Sequence, residues 1–324
     1  MNVALDVTPL ALTRGGTARY LRGLLPRLER DVSVERLRGF SRGPAGTLWL
    51  DLAWYPHVLP YRARQADVLH CPTYRGPLRS SVPLIVTVHD VAVFRHPDAF
   101  PPWTRSYSRL IVPRVLNAAR RIIAVSEFTA AELEGVLGLP RDKIRVIPNG
   151  VNSVFAPDGP AAGGDYVLAV GALEPRKNLA RTIEAARRLG LELRVAGVPG
   201  WGGVKPGSDG VRWLGEVSDD ELARLYRGAL CAAYPSLYEG FGIPVLEAMA
   251  CGAPVVTSAG SAMEEVAGGA AVLVDPLDVE AIAAGIEEAI GRRDDLRARG
   301  LQRVRAFSWD DAARLTLAVY EEAV

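Results

Sequence analysis

The stretch Glu239-Gly-Phe-Gly-Ile-Pro-Val-Leu-Glu247 places two carboxylates on either side of a turn of small residues and a helix start. An apolar run of strand length comes shortly before it. Gly240 and Gly242 allow positive φ, so successive N–H groups can converge on one ligand oxygen. Pro244 suits a first helical turn, where its missing N–H costs nothing. We predict a strand, a loop and a helix N-terminus that hold both carboxylates in one pocket; two solvated glutamates on an ordinary loop are the alternative.

Apolar runs of strand length alternate with helical patterns along the whole chain. Strands are predicted near 3–7, 68–70, 84–89, 122–125, 144–147, 166–170, 193–196, 211–214, 230–233, 254–257 and 271–274. Helices are predicted near 17–28, 103–119, 127–137, 179–189, 219–227, 279–290, 295–306 and 309–322. The segment 39–66 gives no clear pattern. This alternation predicts an α/β protein with parallel, doubly wound sheets.

Length and composition predict two globular domains. The 324 residues are 49% hydrophobic and 23% charged, which is typical of chains with a sizeable core. Turn residues between 148 and 164 mark a linker. Residues 1–158 hold 21 Lys and Arg against 13 Asp and Glu, whereas the rest holds 17 against 24. The basic first half predicts an anionic acceptor or an anionic membrane surface, unless its arginines simply cover surface helices.

Cysteine usage and the N-terminus predict a cytoplasmic protein. Cys71, Cys231 and Cys251 form no CxxC pair and lie in or beside apolar runs, as reduced core thiols do. Residues 1–7 lack a basic region and contain Asp6, so they read as a strand and not as a signal peptide. No charge-free apolar stretch reaches about 18 residues. Any membrane contact is therefore expected to be peripheral, at the inner face.

Two adjacent cations, Arg176-Lys177, follow the predicted strand 166–170 at the start of a helix. Positive side chains are unfavourable at a helix N-terminus unless an anion comes to meet them. A diphosphate would do so, because Arg offers a bidentate fork and Lys a point charge. An exposed basic turn is the alternative.

Three further turns at strand ends are weak signals when taken alone. Gly15-Gly16 lacks both GxGxxG and GxxxxGK[ST], although its amides could approach a phosphate or an acceptor. His89-Asp90 ends a strand where ligands bind in such sheets, and a structural histidine is an equal alternative. The turn 214–218 could meet a nucleobase through its backbone. The other histidines have no metal-ligand spacing, so we predict neither a metal site nor a cofactor.

The motifs GALEPRKN (171–178), WLGEVSDDEL (213–222) and YPSLYEGFGIPVLEAMACGAPVVTS (234–258) resemble the donor domain of family 4 glycosyltransferases. GGTARY, TVHD, IIAVSEFTA and VIPNGV make the first half similar to the same family. The resemblance covers most of the chain and is thinnest from 30 to 66. It implies a GT-B fold, in which two Rossmann-like domains face one another across a cleft. Residues 1–158 would bind the acceptor, 159–309 would bind the nucleotide sugar, and 310–324 would cross back to the first domain.

The resemblance also implies roles for individual residues. Arg176 and Lys177 would hold the donor diphosphate, Glu247 the ribose hydroxyls, and Glu239 the transferred sugar. The amides of Phe241, Gly242 and Ile243 would meet sugar hydroxyls or phosphate, and Val217 would contact the base. From the first domain, His89 would approach the sugar, and Gly15 with Gly16 would border the phosphate and the acceptor. Ser126 would lie in the cleft.

The implied reaction is retaining transfer of a hexose-like sugar from a nucleoside diphosphate sugar to a glycan, lipid-linked or small-molecule acceptor. No DxD lies at a strand end, and Arg176 with Lys177 could replace a metal ion. The segment Phe94-Arg95-His96-Pro97 resembles family members that use mannose-like donors, which favours GDP-mannose over UDP-sugars. No nucleic acid partner is predicted.

Three alternatives remain open at this point. A nicotinamide-dependent dehydrogenase shares the architecture, but GxGxxG with a following ribose acid is missing after both first strands. A sugar-nucleotide epimerase or a phosphorylase shares the GT-B fold, so fold alone does not exclude either. A non-catalytic protein that binds nucleotide sugars is the third alternative.

Overall fold

The computed structural model describes residues 1–13, 15–40, 43–198 and 210–324, without the side chain of Pro44. The chain divides into two compact units: Met1–Gly150 with Ser308–Val324 forms unit 1, and Val151–Phe307 forms unit 2. These bounds lie a few residues before the predicted ones at 158 and 309. Unit 2 holds the segment 151–158 because Arg227 Nη1 donates to the Ala156 carbonyl over 3.0 Å and the Phe155 ring packs edgewise on Tyr226.

Each unit contains one six-stranded parallel sheet, as the alternating pattern predicted. Unit 1 has the strand order β2-β1-β3-β4-β5-β6, with β1 (Asn2–Asp6), β2 (Ser33–Leu37), β3 (Val68–Cys71), β4 (Leu84–Val88), β5 (Arg121–Ala124) and β6 (Ile144–Val146). Unit 2 has the order β12-β11-β10-β7-β8-β9, with β7 (Tyr166–Val170), β8 (Glu192–Ala196), β9 (Val211–Gly215), β10 (Cys231–Tyr234), β11 (Val255–Ser258) and β12 (Val272–Val274).

Helices connect these strands. In unit 1 they are α1 (Pro9–Leu12), α2 (Gly16–Asp31), α3 (Gly43–Trp49), a π-helix (Leu50–Val58), α4 (Leu59–Arg62), α5 (Ala92–Arg95), α6 (Pro102–Ala118), α7 (Glu127–Leu137) and α14 (Trp309–Ala323). In unit 2 they are α8 (Leu179–Arg188), α9 (Asp219–Gly228), α10 (Ile243–Ala250), α11 (Ala262–Ala267), α12 (Val279–Gly291) and α13 (Arg293–Arg303). In the described part of the chain, no helix is long and apolar enough to span a membrane.

The sequence patterns missed the strand β2 and the short helices α1, α5 and α11. β2 pairs only with β1, and most of its side chains are exposed, so an apolar run is absent from this edge strand. α11 has only six residues, which is too short for a clear helical period. The segment without a pattern, 39–66, folds into α3, the π-helix and α4. Serine side chains cap two of the predicted helices: Ser126 Oγ accepts from the Thr129 amide at 3.0 Å, and Ser218 Oγ accepts from the Glu221 amide at 3.2 Å.

The strand order reverses direction once in each sheet, and this reversal fixes where a crevice opens. In unit 2, the chain runs from β7 outward through β8 and β9, then returns to place β10 on the other side of β7. In unit 1, β1 lies between β2 and β3 in the same way. Loops that leave the carboxyl ends of two such strands diverge and open a crevice between them, which is where ligands bind in sheets of this kind.

The returning helix α14 completes the core of unit 1. Tyr320 OH lies 2.6 Å from His70 Nδ1, His70 Nε2 lies 2.8 Å from Thr87 Oγ1, and Tyr20 OH lies 3.1 Å from the same hydroxyl. This buried chain of polar groups joins α14 to β3, β4 and α2. Burial lowers the pKa of His70 to about 3, so the imidazole is neutral at physiological pH. The segment after unit 2 is therefore an integral part of unit 1.

Two helical glycines should respond in opposite ways to alanine substitution. A Cβ on Gly23 would lie 2.2 Å from Cε2 of the Trp309 indole, whereas a Cβ on Gly135 would meet nothing within 4 Å. We expect Gly23→Ala to destabilise the protein by about 1–3 kcal/mol through overpacking. Gly135→Ala should stabilise it by up to about 1 kcal/mol, because alanine favours the helix. Urea unfolding of both variants measures this. A Gly23→Ala variant as stable as the native chain would show that α14 does not pack here.

Candidate functional site

The candidate site of unit 2 lies where the loops after β7 and β10 converge. Gly171 leaves β7 with a φ of 139°, and its amide donates to the Ala196 carbonyl over 2.9 Å. A Cβ on Gly197 would lie 1.8 Å from the Gly171 oxygen, so only glycine allows the two strand ends to approach so closely. The Leu237 amide, in the loop after β10, donates to the Arg176 carbonyl over 2.7 Å. Backbone contacts thus fix the two loops against one another.

Asn178 fastens the loop that carries the two cations. It follows the short 3-10 turn Pro175–Lys177 and has a φ of 57°, the only positive value outside glycine in the described part of the chain. Its buried side-chain Nδ2 donates to the Pro235 carbonyl over 2.9 Å and to the Pro276 carbonyl over 2.6 Å. One side chain therefore ties the loop after β7 to those after β10 and β12, and sets the direction in which α8 begins.

Arg176 and Lys177 share the carboxylate of Glu239. Arg176 Nη1 donates to Glu239 Oε2 over 2.9 Å, while its Nε donates to Glu174 Oε2 over 3.0 Å. Lys177 Nζ contacts Glu239 Oε1, and it also lies 2.5 Å from the hydroxyl of Tyr234. Tyr234 OH in turn donates to the same Glu239 oxygen over 3.0 Å. Two cations and two carboxylates form a compact cluster whose formal charges cancel.

Burial and these ion pairs set the charge states of the cluster. Burial favours the neutral form of Glu239, but Lys177 and Arg176 outweigh it and lower the pKa of the carboxyl to about 2. Burial lowers the pKa of Lys177, although the neighbouring Glu239 opposes this shift. Burial, with the Glu239 charge, raises the pKa of Tyr234 well above its usual value. Glu239 is therefore ionised and Tyr234 protonated at physiological pH, and the cluster stabilises the fold until the pH falls below the ordinary range of a glutamate.

The helix α10 begins beside this cluster. Gly242 precedes its first residue with a φ of 103°, a backbone conformation that glycine adopts without strain. Ile243 is the first helical residue, and the side chain of Glu247 is buried one turn later. The Phe241 ring packs edgewise on Phe307, with centroids 5.8 Å apart, so only its backbone can serve a ligand. Val217 is half-buried between β9 and the Ser218 cap.

The candidates in unit 1 lie at the carboxyl ends of its strands. Gly15 and Gly16 are exposed at the start of α2. His89 follows β4; its Nε2 donates to the Pro72 carbonyl over 3.0 Å, and its ring meets Tyr20 edgewise. Burial lowers the pKa of His89, so the ring is neutral. Since Nε2 carries the proton donated to Pro72, Nδ1 carries a lone pair and can accept a hydrogen bond. Ser126 is fully buried, and its hydroxyl caps α7, which explains the residue without a ligand.

Three residues of the unit 2 site escaped the sequence analysis. No role was assigned to Glu174, Asn178 or Tyr234, although all three stand in the quoted motifs. The sequence also gave no sign that Glu239 pairs with both cations, because that contact depends on strand order. Asn178 carried one detectable signal, since asparagine is the commonest non-glycine residue in left-handed turns.

The two cations of the cluster remain accessible to an anion. Both cations are partly exposed, at 18% for the Arg176 side chain and 15% for Lys177, and the adjacent carboxylates hold them in place. Prearranged cations in a partly dry site act strongly on negative charge that develops there. Among the described residues, no group of three or more His, Cys, Asp and Glu side chains is arranged to hold a metal ion.

Comparison with known proteins gives matches over both units of the chain. Residues 154–303 match the family model described as glycosyl transferases group 1, and residues 6–155 match that described as glycosyltransferase family 4. The O-antigen chain mannosyltransferase B of Escherichia coli is 33% identical over 284 residues, which cover 78% of this chain and 74% of that protein. The MMP alpha-(1->4)-mannosyltransferase of Mycolicibacterium hassiacum is 31% identical over 302 residues, and the match covers 82% of this chain and 73% of that protein.

Solved structures share the architecture over nearly the whole chain. Sucrose-phosphate synthase from Thermosynechococcus elongatus superimposes with a TM-score of 0.79 at 22% identity, covering 99% of this chain and 98% of that one. Anabaena HepE, in complex with UDP and glucose, gives 0.75 at 18% identity, with 99% of both chains covered. At these identities the likeness shows the fold alone.

Two substitutions of Asn178 should separate the contribution of its side-chain hydrogen bonds from that of its left-handed backbone conformation. Asn178→Gly keeps the left-handed backbone but loses the side-chain hydrogen bonds to the Pro235 and Pro276 carbonyls and the one that Arg181 donates to Asn178 Oδ1. This variant should destabilise unit 2 by about 1–3 kcal/mol. Asn178→Ala loses the same bonds and must also adopt a left-handed conformation, which costs about 1–2 kcal/mol more. Urea unfolding of both variants tests this order. Equal stability of the two would contradict the role assigned to the φ of Asn178.

Proposed function

Because the chain belongs to glycosyltransferase family 4 and has the GT-B fold, we propose that it transfers a hexose from a nucleoside diphosphate sugar, with retention of configuration and without a metal ion. Unit 2 binds the donor and unit 1 contributes to the acceptor site. The acceptor is a glycan, a lipid-linked sugar or a small molecule that carries a hydroxyl group.

One observation carries this proposal: Arg176 and Lys177 lie together at the crevice of unit 2, within hydrogen-bond distance of the same carboxylate. A diphosphate placed at the start of α10 meets both cations, and the backbone amides that follow Gly242 complete the anion site. Glu247, buried on α10, then accepts from the ribose hydroxyls. Val217, at the end of β9, lies against the base.

The charge inventory supports the chemistry. The bond between the anomeric carbon and the phosphate oxygen breaks, while the acceptor oxygen bonds to the same carbon from the same face. The acceptor proton passes to the departing phosphate. Negative charge grows on that phosphate, where Arg176 and Lys177 stabilise it, and an interaction that strengthens in the transition state raises turnover.

Glu239 is best explained as an orienting group. Its carboxylate already accepts hydrogen bonds from both cations, so it is a poor candidate for a covalent nucleophile. In our proposal it holds Arg176 and Lys177 at the diphosphate and accepts from a hydroxyl of the transferred sugar. His89, neutral and fixed by Pro72, offers its Nδ1 lone pair to a sugar hydroxyl.

We propose mannose as the transferred sugar and GDP as the nucleotide, with UDP-sugars second. Two relatives that match this chain over most of its length have names that specify mannosyl transfer. UDP is bound in the HepE structure, but that protein is only 18% identical and supports the fold alone.

Removal of the Lys177 charge should reduce transfer far more than donor binding. We expect Lys177→Ala to lower turnover by at least about two orders of magnitude, comparable with losing one oxyanion donor. The exposed Arg187→Ala, which removes a cation from α8 in the same unit, should retain native turnover. Initial rates with and without EDTA measure both effects, and thermal melting shows whether each variant is folded. Native turnover in Lys177→Ala, or strict dependence on added Mg²⁺, would contradict the mechanism.

A nucleotide screen should identify the donor class. A ligand present at about 100 times its Kd stabilises the folded protein by about 2.7 kcal/mol, so the preferred nucleotide should raise the melting temperature most. We expect GDP to raise the melting temperature of the native chain more than UDP, ADP or dTDP does. This rise should be smaller in Lys177→Ala. A larger shift with UDP would overturn the GDP assignment while leaving the transferase assignment intact. Mass spectrometry of the product then separates a glycoside from an epimerised donor or a sugar phosphate.

A further inference from the structure

A basic depression lies at the amino edge of the unit 1 sheet, opposite the edge that carries His89 and the Gly15-Gly16 turn. It has a volume of about 850 Å³. It lies where β4 begins at Leu84 and β5 begins at Arg121, and Lys143, just before β6, lines it as well. Because β4, β5 and β6 are neighbours in the sheet, three successive strand starts form one wall.

Four cations line this depression, with one carboxylate among them. The cations are Arg79, Arg120, Arg121 and Lys143, and the carboxylate is the exposed Asp142. The hydroxyl groups of Ser80 and Ser81 lie in the same wall. Like charges so close together repel one another unless an anion lies between them, and Asp142 is the one carboxylate among the described lining residues.

The ion pairs and hydrogen bonds of these four cations leave part of their positive charge without a carboxylate partner. Arg121 Nε lies 3.2 Å from Glu322 of α14, but Arg145 shares that carboxylate at 2.8 Å. Lys143 Nζ donates to the neutral Asn117 carbonyl over 2.6 Å. In the described part of the chain, no carboxylate pairs with the exposed side chains of Arg79 and Arg120. Burial, with the neighbouring Arg121 charge, lowers the pKa of Lys143, although Asp142 opposes this shift.

We propose that this depression is a second anion site, which binds a phosphate group separately from the reaction at unit 2. Arg79 and Arg120 supply guanidinium forks, Lys143 supplies a point charge, and the hydroxyl groups of Ser80 and Ser81 add neutral donors. Two sources share this chemistry: the headgroup of an anionic phospholipid, and a free phosphate or phosphomonoester.

A double charge reversal tests the site. Arg79→Glu with Arg120→Glu changes two lining cations, and Arg22→Glu with Arg38→Glu makes the same charge change at exposed arginines that do not line the depression. Inorganic phosphate is titrated calorimetrically into the native chain and both variants, and thermal melting verifies folding. We expect the lining variant to bind phosphate at least about tenfold more weakly, a loss that corresponds to about 1.4 kcal/mol, while the control remains within about twofold.

A vesicle experiment separates the two sources. Each protein is sedimented with phosphatidylcholine vesicles that either contain or lack phosphatidylglycerol. Loss of anionic vesicle binding in the lining variant alone identifies a lipid headgroup as the ligand; phosphate binding without vesicle binding identifies a free anion. The proposal is overturned if the lining variant binds phosphate and vesicles as the native chain does. It is also overturned if both variants lose binding equally, because net charge then explains the effect.

Discussion

The carboxylate of Glu239, held between Arg176 and Lys177, is the interaction on which the unit 2 site depends. Without it, two like charges would face one another in a partly buried turn, and each would have to be desolvated without compensation. With it, the cations are fixed and their charge is balanced while no ligand is present. The contact exists because β10 returns beside β7, so residues more than sixty positions apart in sequence meet at one edge. Sheet order, rather than any local motif, assembles the site.

That dependence explains what could be predicted from the sequence. Buried parallel strands are continuous apolar runs, so nearly all of them were found, and the site motifs could be placed at strand ends. β2 was missed because an exposed edge strand carries no such run. The pairing of Glu239 with Arg176 and Lys177 could not be found, since spacing along the chain does not reveal which strands are neighbours. Likewise, the φ of Asn178 follows from three loops meeting around one side chain.

The two edges of the unit 1 sheet differ in their polar groups. At the carboxyl edge, burial keeps His89 neutral and Pro72 fixes the orientation of its ring, so the residue offers one defined acceptor. At the amino edge, four cations line a depression with little counter-charge. A neutral, oriented group suits recognition of hydroxyls, whereas uncompensated cations suit phosphate. Part of the basic excess of the first half thus lies away from the strand ends where sugar chemistry is expected.

The hydrogen bond between His70 and Tyr320 also constrains the order in which the chain can fold during its synthesis. The two residues are 250 positions apart, and all of unit 2 is translated between them. Unit 2 is one continuous segment, so it can reach its final structure while the ribosome is still adding residues. Unit 1 cannot, because its buried imidazole lacks Tyr320 as a partner until α14 emerges. The half of the molecule that is made first is therefore finished last, and in the interval part of its core lacks the helix that packs on it.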